Sequence, residues 1–248
     1  MYFALGLPQR GEQDQLVLDA LKTANKRKRN DRAVSKISNL SAVLHEMRLY
    51  KSAGEIELMA RAASLTDLGH RRAMAVAVPG VREYELQTAM EYEWLSRGSQ
   101  RNAYPSIVGS GPNACILHYR AGSRVCEAGD LILIDAGCEV DGYASDVTRT
   151  FPVSGTFTPA QASVYEVVLA AQISAIDKCR SGNTVADIHN EAVRVLVKGL
   201  IELKLLTGTI EENIDAKSYR RFYMHGTGHW IGMDVHDVGP NERNGQSR

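Results

Sequence analysis

The chain has 248 residues, enough for one large domain or two small ones, and its 44% hydrophobic share supplies an ordinary core. Lysine plus arginine and aspartate plus glutamate both number 29, which excludes a general polyanion binder and argues against steering by a net field. The four cysteines, Cys115, Cys126, Cys138 and Cys179, form no Cys-x-x-Cys pair and no zinc-finger spacing, and no signal peptide or long apolar run is visible. A reduced, cytoplasmic protein with no membrane partner is expected, its thiols acting as small buried hydrophobes.

Met1 to Leu5 reads as a short strand, and a helix follows near Asp14 to Thr23. The basic run Lys26 to Arg29 with Arg32 lacks interleaved aromatics, so a solvated helix end or linker is favoured over a nucleic-acid contact. Glu55 to Ala77 repeats apolar and charged residues at helical period until Pro79-Gly80 stops it, and a second helix over Glu83 to Arg97 ends at Gly98. Short strands are expected at Ser106 to Gly109 and Cys115 to Tyr119, around the turn Gly109 to Asn113. A further helix begins at Thr158-Pro159-Ala160-Gln161, where Thr158 caps, Pro159 has no donor to waste and Gln161 completes a capping box, and it runs to about Cys179. After the break at Ser181 to Thr184 another spans Val185 to Leu205. The order helix, glycine break, helix thus occurs twice, a weak hint of internal duplication.

Two segments carry chemistry. In Leu131 to Thr150 four apolar residues enter a strand, Asp141-Gly142 is a hairpin turn signal, and the return strand is rich in valine and threonine. Across a two-residue loop, Asp135 and Asp146 share one face as opposite or diagonal neighbours. Carboxylates that close repel unless a proton or a cation lies between them, and a divalent metal is the commoner answer when more ligands are near. The second segment, His225 to Asp237, holds His225, His229 and His236, three of the seven histidines. Glycines 226, 228 and 232 argue against one helical face, so loop and strand are expected. One imidazole joined to two carboxylates suits a first-row divalent ion better than calcium or magnesium alone. Two such ions sharing bridging oxygens hold a hydroxide and polarise a carbonyl, the two-metal route to amide hydrolysis. Neutral His118, His225 and His236 are then candidates for stabilising the oxyanion or passing a proton to the leaving amine.

Ile134 to Glu139, Gly142 to Pro152, His118 in Ile-Leu-His-Tyr, and Met224 to Gly239 closely resemble aminopeptidase P, the Xaa-Pro aminopeptidase family of pita-bread metallopeptidases, over about Val43 to Gly239. The resemblance implies an α+β fold, a curved antiparallel sheet covered by helices. It implies Asp135 and Asp146 as metal ligands, with Asp146 bridging, and His229 as the imidazole ligand. His118, His225 and His236 become substrate-facing groups. It also implies two Mn²⁺ ions, with Co, Fe or Zn as alternatives, and removal of an N-terminal residue from peptides with proline second. The family's two further Glu ligands lie on strands past the His-Asp-Val-Gly segment, and the 248 residues contain neither. An incomplete member is therefore expected, with 1–42 a remnant of an N-terminal domain plus linker and 43–248 a partial catalytic domain with weak metal affinity. Prolidase or methionine aminopeptidase chemistry, a non-catalytic peptide-binding module, and a homo-oligomer stay open.

Overall fold

A computed structural model describes residues 2–3, 11–26, 37–120, 122–239, 242–243 and 246–248. They fall into two units, Met1–Tyr50 and Lys51–Arg248. In the first, strand β1 (Tyr2–Phe3) pairs in parallel with β2 (Ser38–Asn39), beside helices α1 (Gly11–Lys26) and α2 (Leu40–Leu49). Asn39 caps α2 by accepting from the Ser41 amide, a cap worth about 1 kcal/mol. The basic run after Lys26 lies outside the described residues.

The second unit opens with α3 (Ala53–Val76), whose start is fixed by a capping box: Glu55 accepts from the Ser52 amide at 2.7 Å, and Ser52 Oγ accepts from the Glu55 amide. Its buried residues, Ala62, Leu65, Thr66, Gly69, His70 and Ala73, recur at helical spacing and meet α4 (Glu83–Leu95), which buries Glu83, Leu86, Met90 and Trp94. The two helices pack so closely that a Cβ on Gly69 would lie 2.6 Å from the Trp94 ring.

Under them lie two three-stranded antiparallel sheets. One has the order β4 (Ile107–Ser110), β5 (Leu131–Ala136), β8 (Val147–Pro152), and the other β3 (Arg101–Asn102), β6 (Cys138–Val140), β7 (Tyr143–Ala144). Strand β5 alternates: Ile132, Ile134 and Ala136 are buried in the core with Leu86, Met90 and Trp94, while Leu131, Leu133 and Asp135 lie half-buried on the other face. The expected hairpin is present, turning at Asp141 and Gly142 with φ of 49° and 83°, the left-handed pair of a type I′ turn. Two helices then pair, α5 (Pro159–Asp177) behind its Thr158 capping box and α6 (Val185–Glu202), joined by a Ser174 hydroxyl donating to Glu191 at 2.5 Å. Helix α7 (Ile210–Asp215), a 3₁₀ turn over Ser218–Arg221 and the strands β9 (Glu242–Arg243) and β10 (Gln246–Ser247) follow.

Three expectations fail here. Cys115 to Tyr119 is not a strand: Gly111–Cys115 forms a 3₁₀ turn opened by Pro112, and the chain keeps turning, with His118 left-handed at φ 54°. Apolar residues alone suggested a strand there, but Ile116 and Leu117 stay exposed, because hydrogen bonds to Glu83 hold the turn instead. The segment from His225 to Gly239 contains no strand among the described residues; it is loop throughout. Only Cys126 and Cys138 are buried, whereas Cys115 and Cys179 are exposed; all four are free thiols. No described helix is long and apolar enough to cross a membrane.

Candidate metal centre

Asp135 sits near the end of β5, opposite Thr148 of β8. The ladder continues in the same register past the break at Gly137 and Ser145, since Ala136 faces Val147 and Glu139 faces Ala144. Asp146 therefore lies opposite Gly137, diagonal to Asp135 and on its face, as the spacing implies. Gly137 permits this geometry: a Cβ there would come within 1.8 Å of the Ser145 carbonyl oxygen.

The link between the two acids is a residue that no sequence motif singled out. The Tyr104 hydroxyl lies 2.5 Å from Asp135 Oδ1 and 2.7 Å from Asp146 Oδ1. One phenol carries one proton, so it can donate to only one of those oxygens; the other contact needs a proton on a carboxyl or a cation alongside. Burial and the hydrogen bond to Asp135 push the Tyr104 pKa far up, so it remains a donor at any ordinary pH. Nothing local in Asn-Ala-Tyr-Pro flags this role, because it arises when β3 pairs with β6, Asn102 against Cys138, and carries Tyr104 over the acids.

The histidine loop closes the site from the other side. His229 Nε2 lies 3.1 Å from Asp146 Oδ2, its Nδ1 meets the Trp230 carbonyl, and its ring stands edge-on to His236 with centroids 4.3 Å apart. The loop is pinned at three places: the Ala144 amide donates to the Gly232 carbonyl, the Asp237 amide donates to the Trp230 carbonyl, and Lys51 pairs with the buried Asp237 at 3.0 Å. Asp135, Asp146 and His229 are thus brought into one chain of contacts through Tyr104 and Asp146. His236 joins them through His229. His225 is exposed, its Nδ1 3.0 Å from the Gly226 carbonyl oxygen, and His118 is exposed on the turn after β4. His70, also unmarked by any motif, is buried behind β5 with Nε2 3.2 Å from the Ala136 carbonyl oxygen; burial lowers its pKa, so it stays neutral.

The donor set fits a hard-to-borderline divalent cation in chemistry, two carboxylates and an imidazole, and the shared phenolic proton leaves the acid pair short of positive charge. It is open rather than closed: among the described residues no three His, Cys, Asp or Glu side chains cluster tightly enough to hold an ion. The strain shows at Asp135, whose pKa is raised first by burial and then by Asp146, against hydrogen bonds from Tyr104 and Thr148. A carboxyl whose folded pKa is raised takes up its proton more readily in the folded chain. Its penalty is absent below the ordinary value of 3.8 and grows as pH rises through the raised value. In chelator, Asp135→Asn will therefore raise the melting temperature at pH 7 and leave it unchanged near ~pH 3. Equal melting temperatures at both pH values in a calorimeter would show that the acid pair is not strained.

Comparison with known proteins identifies the family. Residues 57–248 match the model of metallopeptidase family M24. The Xaa-Pro aminopeptidase of Escherichia coli (strain K12) is 44% identical over 227 residues, 91% of this chain and 52% of that protein. That of Haemophilus influenzae is 46% identical over 205 residues, 83% of this chain and 48% of its own length. Among solved structures, Pseudomonas aeruginosa aminopeptidase PepP superposes with a TM-score of 0.92 at 45% identity, covering all of this chain and 56% of that one. An Escherichia coli aminopeptidase P variant in complex with substrate gives 0.90 at 41%, with the same coverage. The chain spans about half the length of the curated relatives it matches, and within that span it has their pita-bread fold. The family match over residues 57–248, the identity to these relatives and the shared fold place this chain in metallopeptidase family M24.

Proposed function

We propose that this chain carries the acid-pair half of a metal-dependent aminopeptidase that removes the N-terminal residue of peptides whose second residue is proline. The supporting observation is the Tyr104-bridged pair Asp135 and Asp146 with His229 against it, within a chain 44% identical to an Xaa-Pro aminopeptidase. Asp135, Asp146 and His229 would hold the cation, Mn²⁺ by preference, and the family resemblance implies a second ion and two further Glu ligands. When bound, such a centre supplies an activated hydroxide and a polarised carbonyl. The chain's own part is to keep that carboxylate face aligned: Tyr104 orients both acids, and Lys51 with Asp237 fixes the loop that carries His229 and His236. His118, His225 and His236 are assigned to substrate, as donors toward the carbonyl oxygen or the leaving amine. Residues 43–248 form the catalytic region in this reading and 1–42 an N-terminal region with its linker. The free thiols fit a reducing, cytoplasmic setting.

Assays of the full chain in saturating Mn²⁺ against an Xaa-Pro dipeptide, an Xaa-Pro-Yaa tripeptide and a Met-Ala peptide test this. Release from the tripeptide ahead of the other two is expected, at a low rate. Preference for the dipeptide points to prolidase chemistry, and preference for Met-Ala to methionine aminopeptidase chemistry. No release from any peptide favours the second reading, a non-catalytic peptide-binding module, for which the open donor set among the described residues speaks.

A further inference from the structure

We infer that Glu83 is a positioning residue for this site, its buried carboxylate gathering the turn that presents His118. The inference rests on the proposed function only for what His118 does; the anchoring itself stands on geometry. Glu83 is the first residue of α4 and has no exposed surface. Five donors converge on it: the Ser110 amide, the Ser110 hydroxyl and Asn113 Nδ2 on Oε1 at 2.8 to 2.9 Å, and the Tyr119 hydroxyl and the Gly122 amide on Oε2 at 2.9 and 3.2 Å. Asn113 also donates to the Tyr119 hydroxyl at 2.9 Å, so the ends of the turn are tied to each other as well. Burial alone would raise the Glu83 pKa, but the bonds from Asn113, Ser110 and Tyr119 outweigh it and hold the group ionised. A buried anion satisfied by five donors is far more than a helix start requires. Those donors lie within or flank the turn from Gly111 to Arg120, which has little regular structure of its own and leaves Ile116, Leu117 and His118 exposed.

The turn is also aimed. Arg120 donates to the Pro105 carbonyl at 3.2 Å, which brings the chain back from the far end of β4 to the residue beside Tyr104. That contact ties the segment that carries His118, two residues before Arg120, to the stretch that carries Tyr104. Gly122 allows the close approach, since a Cβ there would come 2.8 Å from the Tyr119 hydroxyl. The exit of the segment is fixed independently, by the Arg82 guanidinium donating to the Ser123 carbonyl and the Glu83 amide donating to the Arg124 carbonyl, so loss of the carboxylate frees the turn without unzipping the chain beyond Gly122.

The test uses the full chain and ring-labelled histidine, the His118 signal being assigned by its loss in His118→Gln. In Glu83→Gln the charge is lost and the amide hydrogens in place of Oε2 face the Gly122 N–H, so the turn is loosened. The His118 ring signals are expected to narrow as the turn gains motion, and tryptic cleavage after Arg120 to rise about tenfold, the worth of one or two ordinary hydrogen bonds. Mn²⁺ affinity should stay within about twofold, because no donor at the acid pair is touched. Where tripeptide turnover is measurable, kcat falls with KM held. Tyr119→Phe removes one donor without disturbing α4 and should give a smaller change of the same kind; it decides the matter if Glu83→Gln fails to fold. Unchanged His118 signals and unchanged cleavage in a folded variant would overturn the inference. Loss of turnover in the parent chain with the His118 response intact would overturn the function proposed above and leave the anchoring role standing.

Discussion

Asp146→Ala will abolish divalent-cation binding, while Cys179→Ala leaves it untouched. Asp146 is the joint of the site: one oxygen lies 2.7 Å from the Tyr104 hydroxyl, and the other lies 3.1 Å from His229 Nε2. Removing it deletes a carboxylate donor and also releases the imidazole from its neighbour, so Asp135 and His229 are no longer held on one face. Loss of a mere supporting partner of a metal ligand costs about 10 to 100-fold in affinity, so loss of the carboxylate itself should exceed about 100-fold. Cys179 is exposed just beyond the end of α5 and shares no contact with this cluster; its thiol meets the Ala175 carbonyl oxygen. Isothermal titration with Mn²⁺ measures both variants against the parent. Retained heat in Asp146→Ala would move the cation site elsewhere.

The parts of this site legible in the sequence were those that depend on a local period. Asp135 and Asp146 could be placed on one face because a two-residue turn fixes a hairpin's register, and Asp141-Gly142 has the two left-handed residues that turn demands. Helices α3 to α6 follow from apolar spacing, with capping boxes at Ser52, Thr158 and Thr184 setting three of their starts. What escaped was set by contacts between segments distant in the chain. Tyr104 reaches the acids only because β3 adds to β6, and nothing in its neighbours encodes that pairing. The Cys115 to Tyr119 segment looks like a strand by composition, yet the buried Glu83 overrides that preference by satisfying the turn's polar groups. The histidine loop likewise owes its shape to Lys51, 186 residues before Asp237.

The same dependence on distant contacts makes Trp94 the residue whose loss should cost the fold most. Its side chain has no exposed surface, fills the notch left by Gly69 on α3, and lies in the core with Leu86, Met90, Ile132 and Ile134. Trp94→Ala will lower unfolding free energy by about 3–5 kcal/mol, the transfer loss plus the cavity that α3 and β5 cannot fill. A typical domain holds only about 5–15 kcal/mol, so the urea midpoint should fall by a large fraction. Trp94→Phe separates packing from bonding. It keeps most of the ring but loses the indole N–H that donates to Asn102 Oδ1 at 3.0 Å, at a cost of about 1 kcal/mol. Asn102 ends β3 two residues before Tyr104, so this smaller change loosens the approach of the phenol to the acid pair and should weaken Mn²⁺ binding even where the fold survives. A Trp94→Phe chain with a lowered midpoint and full Mn²⁺ affinity would show that Tyr104 is held by the acids alone; a Trp94→Ala chain within about 1 kcal/mol of the parent would show that the core refills around the gap.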